Sequence, residues 1–164
     1  MGKRDLTMVM FGIGFLLLSA CTHVMKAYPG PELPRTQTAL VQSGAYTQVL
    51  SLDGLPVTSQ KVSILPGPHS VVIRILDEES TPISVAYAFY SLSDGTVDFV
   101  AKPGHQYVAS VDVIASPFPI SGENDTGFRW VGYVSDRINN QIIAQTDYLP
   151  VGVWPRIRDS LGAP

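Results

Sequence analysis

Short apolar runs with a period of two, each closed by a turn signal, are the feature that most constrains how this chain folds. The runs are rich in Val, Ile, Tyr and Phe, which favour strands, and a period of two places alternate side chains on the same side of a sheet. About eight such runs at short spacing predict an all-β chain that folds as a single antiparallel β-sandwich. The turn signals between them are Asp53-Gly54, Pro66-Gly67-Pro68, Asp94-Gly95 and Pro103-Gly104.

The runs also predict which side chains are buried. They cover residues 45–52, 61–65, 70–76, 83–92, 96–101, 106–114, 128–134 and 141–146, and the stretch at 38–42 is a candidate first strand. Alternation directs Ile73 and Val111 toward the core and Arg74 and Asp112 toward solvent. Trp154 either contacts a partner or covers one end of a sheet. The aromatic residues expected in the core are Phe89, Tyr90, Phe128, Trp130 and Tyr133.

The N-terminus has the pattern of an export signal. Lys3 and Arg4 give a basic start, and an apolar run from Met8 to Ala20 follows them. This run is too short to cross a hydrocarbon core of about 30 Å as a mature helix. A basic start, a short apolar run and a small-residue exit are typical of signal peptides, so we expect residues 1–20 to be removed.

The end of the apolar run, Leu18-Ser19-Ala20-Cys21, resembles the lipobox of bacterial lipoproteins. The resemblance implies cleavage before Cys21, lipid on its thiol and a further acyl chain such as palmitate on the new amine. Cys21 is the only cysteine of the chain, so no internal disulfide forms and the anchor accounts for the single thiol. Two or more acyl chains give stable attachment to a membrane.

Thr22 bears on which membrane holds the anchor. In diderm bacteria an aspartate after the lipidated cysteine commonly means retention in the inner membrane, and this chain has threonine there. The resemblance therefore implies an outer-membrane lipoprotein that faces the periplasm. In a bacterium with a single membrane it implies the cell membrane.

The rest of the chain divides into three parts. Residues 21–38 carry the anchor and three prolines between positions 29 and 34, which stiffen an extended spacer between membrane and domain. A proline-rich recognition motif is the alternative. We expect the β-sandwich domain at residues 39–148 and an extended C-terminal tail at residues 149–164.

Residues 46–76 resemble the PEGA type of β-module. In that pattern a strand leads to an Asp-Gly turn, a second strand leads to a Pro-Gly-x-His turn, and a third strand follows. Asp53-Gly54 and Pro66-Gly67-Pro68-His69 carry the resemblance, and Pro103-Gly104-His105 repeats its second half without the extra residue. Together with the lipobox, these motifs are similar to those of a group of small uncharacterised bacterial lipoproteins. The resemblance implies binding or scaffolding outside the cytoplasm rather than catalysis.

The histidines after the Pro-Gly turns raise the hypothesis of a metal site. His69 and His105 occupy equivalent ends of two hairpins, whereas His23 lies close to the anchor. Two imidazoles are few for a tight zinc or copper site, and the sequence has no HExxH motif or Cys/His cluster. We interpret His69 and His105 as turn residues that hydrogen-bond the loop backbone and cover a strand end, with a metal site as the alternative.

Other polar segments have simpler interpretations. The sequence has no Gly-x-Ser-x-Gly elbow and no glycine-rich phosphate loop, so no catalytic residue or cofactor is predicted. The acidic group Asp77-Glu78-Glu79 is interpreted as a solvated loop that blunts a sheet edge. A calcium loop through Glu123, Asn124 and Asp125 lacks EF-hand spacing, and a flexible loop is favoured.

The sequence therefore predicts a non-enzymatic binding or structural module of the cell envelope. Its expected partners are the membrane, through the lipid on Cys21, and envelope proteins. A net charge of −3 argues against nucleic acid, which requires a basic surface. The alternatives are an accessory docking subunit of a secretion, stress-response or envelope-assembly complex, and a metal-binding or hydrolytic protein.

Overall fold

The computed structural model describes residues 23–76, 87–117 and 125–155 of the 164-residue chain. These ranges contain twelve strands and no helix, so the all-β prediction is confirmed. It follows that these ranges include no helix long and apolar enough to cross a bilayer. The strands are β1 (Val24–Lys26), β2 (Ala39–Ser43), β3 (Thr47–Leu52), β4 (Leu55–Pro56), β5 (Lys61–Ile64), β6 (Gly67–Ile75), β7 (Tyr87–Ser91), β8 (Gly95–Ala101), β9 (Gln106–Ala115), β10 (Phe128–Asp136), β11 (Gln141–Gln145) and β12 (Leu149–Pro155).

The strands form two sheets in a sandwich-like arrangement. Sheet A has the order β1-β5-β2-β9-β10-β12-β7, with β11 paired to β10 beside β12, and sheet B has the order β4-β3-β6-β8. The core contains alternate residues of both sheets, as a period of two requires. Ile73 of sheet B is fully buried and Val111 of sheet A is 7% exposed, whereas Arg74 and Asp112 point outward, as predicted.

The eight predicted strands correspond to β3 and β5–β11. The candidate first strand is β2, and β1, β4 and β12 were not expected. The prediction of a wholly antiparallel sheet is wrong, because β1 pairs parallel with β5 and β2 pairs parallel with β9. Parallel neighbours need a long connection, and all four strands of sheet B lie in the chain between β2 and β9.

The segment predicted to be a spacer packs against the domain instead. Residues 24–26 form β1 at the edge of sheet A, and Tyr28 and Thr38 are 7% and 4% exposed. The Tyr28 hydroxyl accepts a hydrogen bond from the backbone N–H of Leu33 at 3.2 Å. Proline still stiffens this segment, but Met25 and Ala27 pack against the core of the sandwich.

The predicted C-terminal tail is also partly wrong. Residues 149–155 form β12, which joins β10 to β7 inside sheet A, and Val151 is 2% exposed. Three prolines led to the expectation of an extended surface segment. However, Pro150 and Pro155 lie near the ends of the strand, where a missing N–H disturbs the ladder least. Residues 156–164 and the side chain of Trp154 lie outside the described part of the chain.

The aromatic residues pack the core as predicted at Phe89 and Trp130, which are 3% and 0% exposed. Phe128 packs against the same core, with its ring 5.3 Å from that of Phe89. Trp130 also explains Gly95, which begins β8 rather than only closing a turn. A Cβ at Gly95 would lie 2.7 Å from the Trp130 ring, so no larger residue fits there.

Strand directions define two ends of the sandwich. The turns at 53–54, 65–66, 102–105 and 137–140 all lie at one end, because the strand ends beside them meet there. Leu52 pairs with Val71 near the start of β6, Gly67 pairs with Ala101, and Asp136 pairs with Tyr107. We call it the histidine end. The start of β1 pairs with Lys61, which also pairs with the end of β2. This opposite end, the β1 end, is where the chain enters the fold.

Candidate functional site

The Asp53-Gly54 turn is a tight hairpin between β3 and β4. Both residues have positive φ, 52° and 77°, which is the type I′ geometry that Asp-Gly favours between paired strands. The Asp53 carboxylate crosses to β6, where its Oδ1 accepts a hydrogen bond from the Ser70 N–H at 2.9 Å. The two turns of the PEGA-like motif are therefore bonded to each other.

His69 follows the Pro66-Gly67 turn and uses both of its ring nitrogens. Nδ1 lies 2.6 Å from Asp53 Oδ2, and Nε2 lies 2.7 Å from the Leu65 carbonyl oxygen. Both partners are acceptors, so both bonds form when each nitrogen carries a proton. The His69 ring also lies 5.9 Å from the Phe99 ring at the end of sheet B. The predicted role of His69, a bond to the loop backbone and cover for a strand end, is confirmed.

The second turn, Lys102 to His105, joins β8 to β9. Gly104 has φ of 77° after Pro103, and the His105 N–H donates to the Lys102 carbonyl at 3.3 Å, as in a type II turn. The His105 side chain turns away from this loop backbone. Its Nδ1 lies 2.7 Å from Oδ2 of Asp136 at the end of β10.

Asp136 is the residue that sequence reasoning missed. Its side chain is 4% exposed, and Oδ1 accepts the Ile138 N–H at 3.0 Å. Burial alone would raise the pKa of Asp136. The hydrogen bonds from Ile138 and His105, together with the charges of His105 and Lys102, outweigh burial and lower that pKa below its usual value. An aspartate before a turn commonly caps that turn, but no local pattern predicts a partner 31 residues away.

A row of aromatic rings separates the two histidines. The Phe99 ring lies 5.3 Å from the Tyr107 ring, which in turn lies 6.1 Å from the His105 ring. Burial raises the pKa of Tyr107, whose hydroxyl accepts the Lys102 N–H.

Each histidine pairs with its own aspartate, His69 with Asp53 and His105 with Asp136. Within the described ranges no three His, Cys, Asp or Glu residues lie together as a metal would require.

A cavity of about 110 Å³ lies beside His105, beneath the segment that follows β1. It lies on the side of sheet A that faces away from the core, because Leu40 and Ser63 line it while their neighbours Val41 and Val62 are buried. Its polar lining residues are Glu32, Arg35, Thr38, Ser63, His105 and Gln106. The packed N-terminal segment thus forms one wall of a site at the histidine end.

The hydrogen bond between His105 Nδ1 and Asp136 is of the kind that orients the histidine in a hydrolytic triad. Ser63 lines the same cavity, but it makes no hydrogen bond to His105. Ser63 and Gln106 flank Leu40 on opposite sides of β2, and this separation by two strand spacings is about 10 Å. The geometry supports binding at His105 more than nucleophilic attack by Ser63.

Asp125, the described part of the hypothetical calcium loop, is paired with Arg129. The guanidinium donates to both carboxylate oxygens, at 2.8 and 2.9 Å, and this hydrogen bond raises the pKa of Arg129. Such two-point pairing occupies the oxygens that a cation would need. Glu123 and Asn124 lie outside the described residues, as do Cys21 and the acidic group at 77–79.

Comparison with known proteins gives no further assignment. No protein-family model, curated protein or solved structure matches the chain. The PEGA-like and lipoprotein resemblances therefore stay predictions.

Proposed function

We propose that this protein is a membrane-anchored bacterial lipoprotein whose β-domain acts as a periplasmic binding or structural module of the cell envelope. The lipobox-like residues before Cys21 support the anchor. The observation that carries the binding role is the cavity beside His105. It combines an imidazole oriented by a buried carboxylate with several polar groups.

The start of the fold lies very close to the proposed anchor. Cleavage before Cys21 leaves three residues before Val24, where β1 begins, and an extended chain of that length reaches about 10 Å. A lipid on Cys21 would hold the β1 end near the membrane. The turns of the histidine end would then be on the far side and open to the periplasm.

Cavity size favours a partner group over a whole metabolite. Small-molecule sites usually enclose about 300–1,000 Å³, whereas this cavity has about 110 Å³. It suits a group of a few heavy atoms, such as one side chain or chain terminus of a protein. A binding or structural module of the envelope fits that size better than an enzyme for a large substrate.

Replacement of Cys21 tests the anchor. We expect Cys21→Ser to move the protein from the membrane fraction of lysed cells to the soluble fraction, because the thiol that takes the lipid is lost. Ser19→Ala is the matched control, since it keeps a small residue in the lipobox-like stretch and should stay with membranes. Sedimentation of Cys21→Ser with membranes would contradict the anchor.

Exposed apolar side chains at the histidine end favour the second candidate, an accessory docking subunit. Leu55, Leu65, Val100 and Ile138 are 40–64% exposed and lie in or beside turns of that end. Exposed apolar groups that lie together often mark protein interfaces. The structure holds Ile138 firmly, because its N–H is bonded to Asp136.

Gentle solubilisation of membranes tests docking. We expect a stable protein complex to be recovered with the natural chain and lost with Ile138→Asp, because a charge enters the contact. Leu92→Asp is the control, since Leu92 is 57% exposed and lies away from the histidine end. Recovery of the chain without any partner counts against a docking subunit.

A further inference from the structure

The two histidine side chains differ in what they leave free. Both ring nitrogens of His69 are hydrogen-bonded to protein acceptors. Nδ1 of His105 is hydrogen-bonded to Asp136, and the described residues offer no hydrogen-bond partner to its Nε2. Because His105 lines the cavity, Nε2 is the nitrogen available to a ligand there.

Two charged side chains beside the same cavity also lack partners. Arg35 and Glu32 line it, and neither forms an ion pair with a described residue. An arginine stays charged at all physiological pH values and presents a planar set of donors that matches a carboxylate. Glu32 is exposed, so its flexible side chain can turn toward water when an anion binds.

The groups around His105 leave its Nε2 as the position for an anion. Asp136 occupies the Nδ1 side, and Lys102 places a positive charge near that carboxylate. An imidazolium donates from both nitrogens. Nδ1–H can then bond Asp136 while Nε2–H and the Arg35 guanidinium bond one anion between them.

We propose that the cavity between the segment at residues 32–38 and sheet A binds a small carboxylate, held by His105 Nε2 and Arg35. The inference rests on the proposed binding role and names the chemistry of that site. A volume of about 110 Å³ admits a group the size of acetate. The same chemistry is supplied by a free small acid or by the carboxylate of a protein side chain or C-terminus.

Histidine-selective NMR of the full lipidated chain in detergent micelles tests the site. With acetate added near pH 6, where imidazoles are commonly protonated, we expect saturable shifts of the His105 ring signals. His69 is an internal control and should not shift, because both its nitrogens are already bonded. Sodium chloride at equal ionic strength controls for salt. Absence of a His105 response, or equal responses of both rings, would overturn the proposal.

Two variants of opposite charge make the test sharper. Arg35→Gln should weaken acetate binding by about tenfold through loss of a charge-assisted bond, and Glu32→Gln should tighten it by about twofold through loss of repulsion. Both residues are exposed, so neither change should disturb the fold. Binding unaltered by Arg35→Gln would refute the assignment.

Peptides separate the two sources of carboxylate. A short peptide with a free C-terminus should compete with acetate if the natural ligand is a protein terminus, and its amidated form should not. Acetate binding without peptide competition identifies a free acid and keeps the site. Because Cys21→Ser is scored by fractionation alone, failure of the anchor and failure of the carboxylate site remain distinguishable.

Discussion

The two Pro-Gly-His turns are similar in sequence and different in what they hold together. His69 bonds Asp53, 16 residues away in sheet B, and the Asp53 side chain is 39% exposed. His105 bonds Asp136, which lies 31 residues away on a different hairpin and is 4% exposed. The first pair ties the β3–β4 turn to the start of β6 within sheet B, whereas the second ties the β8–β9 turn to the β10–β11 turn. Similar motifs therefore serve local closure in one place and long-range connection in the other.

The largest expected effect is the loss of the buried pair. Asp136→Ala should lower the free energy of unfolding by about 3 kcal/mol, because it leaves His105 and the Ile138 N–H without their acceptor, a carboxylate that is 4% exposed. Urea unfolding measures this difference. Asp98→Ala, an exposed aspartate on β8, is the matched control and should change stability by less than about 0.5 kcal/mol. Equal effects of the two changes would show that the buried pair is no stronger than a surface charge.

The exposed pair should be weaker. Asp53→Ala removes the acceptor of the Ser70 N–H and of His69, and we expect a loss of about 1 kcal/mol because water can replace a partly exposed carboxylate. Hydrogen exchange gives a second measurement. The Ser70 amide should exchange faster while amides of β9 keep their protection. A loss as large as that of Asp136→Ala would remove the contrast between the two turns.

The smallest effect is a change in the acid dependence of stability. The folded-state pKa of Asp136 is lowered, so its charged form stabilises the fold above the ordinary carboxyl pKa of about 3.9. This stability is lost as the pH falls through the folded-state value. Asp136→Asn should therefore flatten the decline of the unfolding free energy below about pH 4, as measured by urea unfolding at a series of pH values. An unchanged slope in Asp136→Asn would contradict a lowered pKa of Asp136 in the folded state.

Sequence patterns predicted what depends on local chemistry. Alternation identified eight strands and the buried positions of Ile73 and Val111, because successive side chains of a strand point to opposite faces of the sheet. The Asp53-Gly54 turn and the contact of His69 with the Leu65 carbonyl also follow from neighbours in the chain. These features need no knowledge of the sheet order.

Long-range pairings were beyond the reach of the same patterns. Nothing near Asp136 indicates His105, and nothing near Pro150 indicates that β12 enters sheet A between β10 and β7. The proline-rich segment was misinterpreted because proline describes backbone stiffness and says nothing about where the Tyr28 ring packs. The cavity beside His105 could not be predicted either, because the misinterpreted segment forms one of its walls.

The strands of sheet B lie closer together in the chain than those of sheet A, and this difference affects the order of folding. Sheet B uses only strands between Thr47 and Ala101, whereas sheet A joins Val24 at one extreme to Pro155 at the other. Contacts between distant residues carry a larger loop-closure entropy and form more slowly. A chain that emerges N-terminus first can therefore complete sheet B while β2 still lacks its partner β9. One of the earliest strands of the fold, β2, is then among the last to complete its pairing.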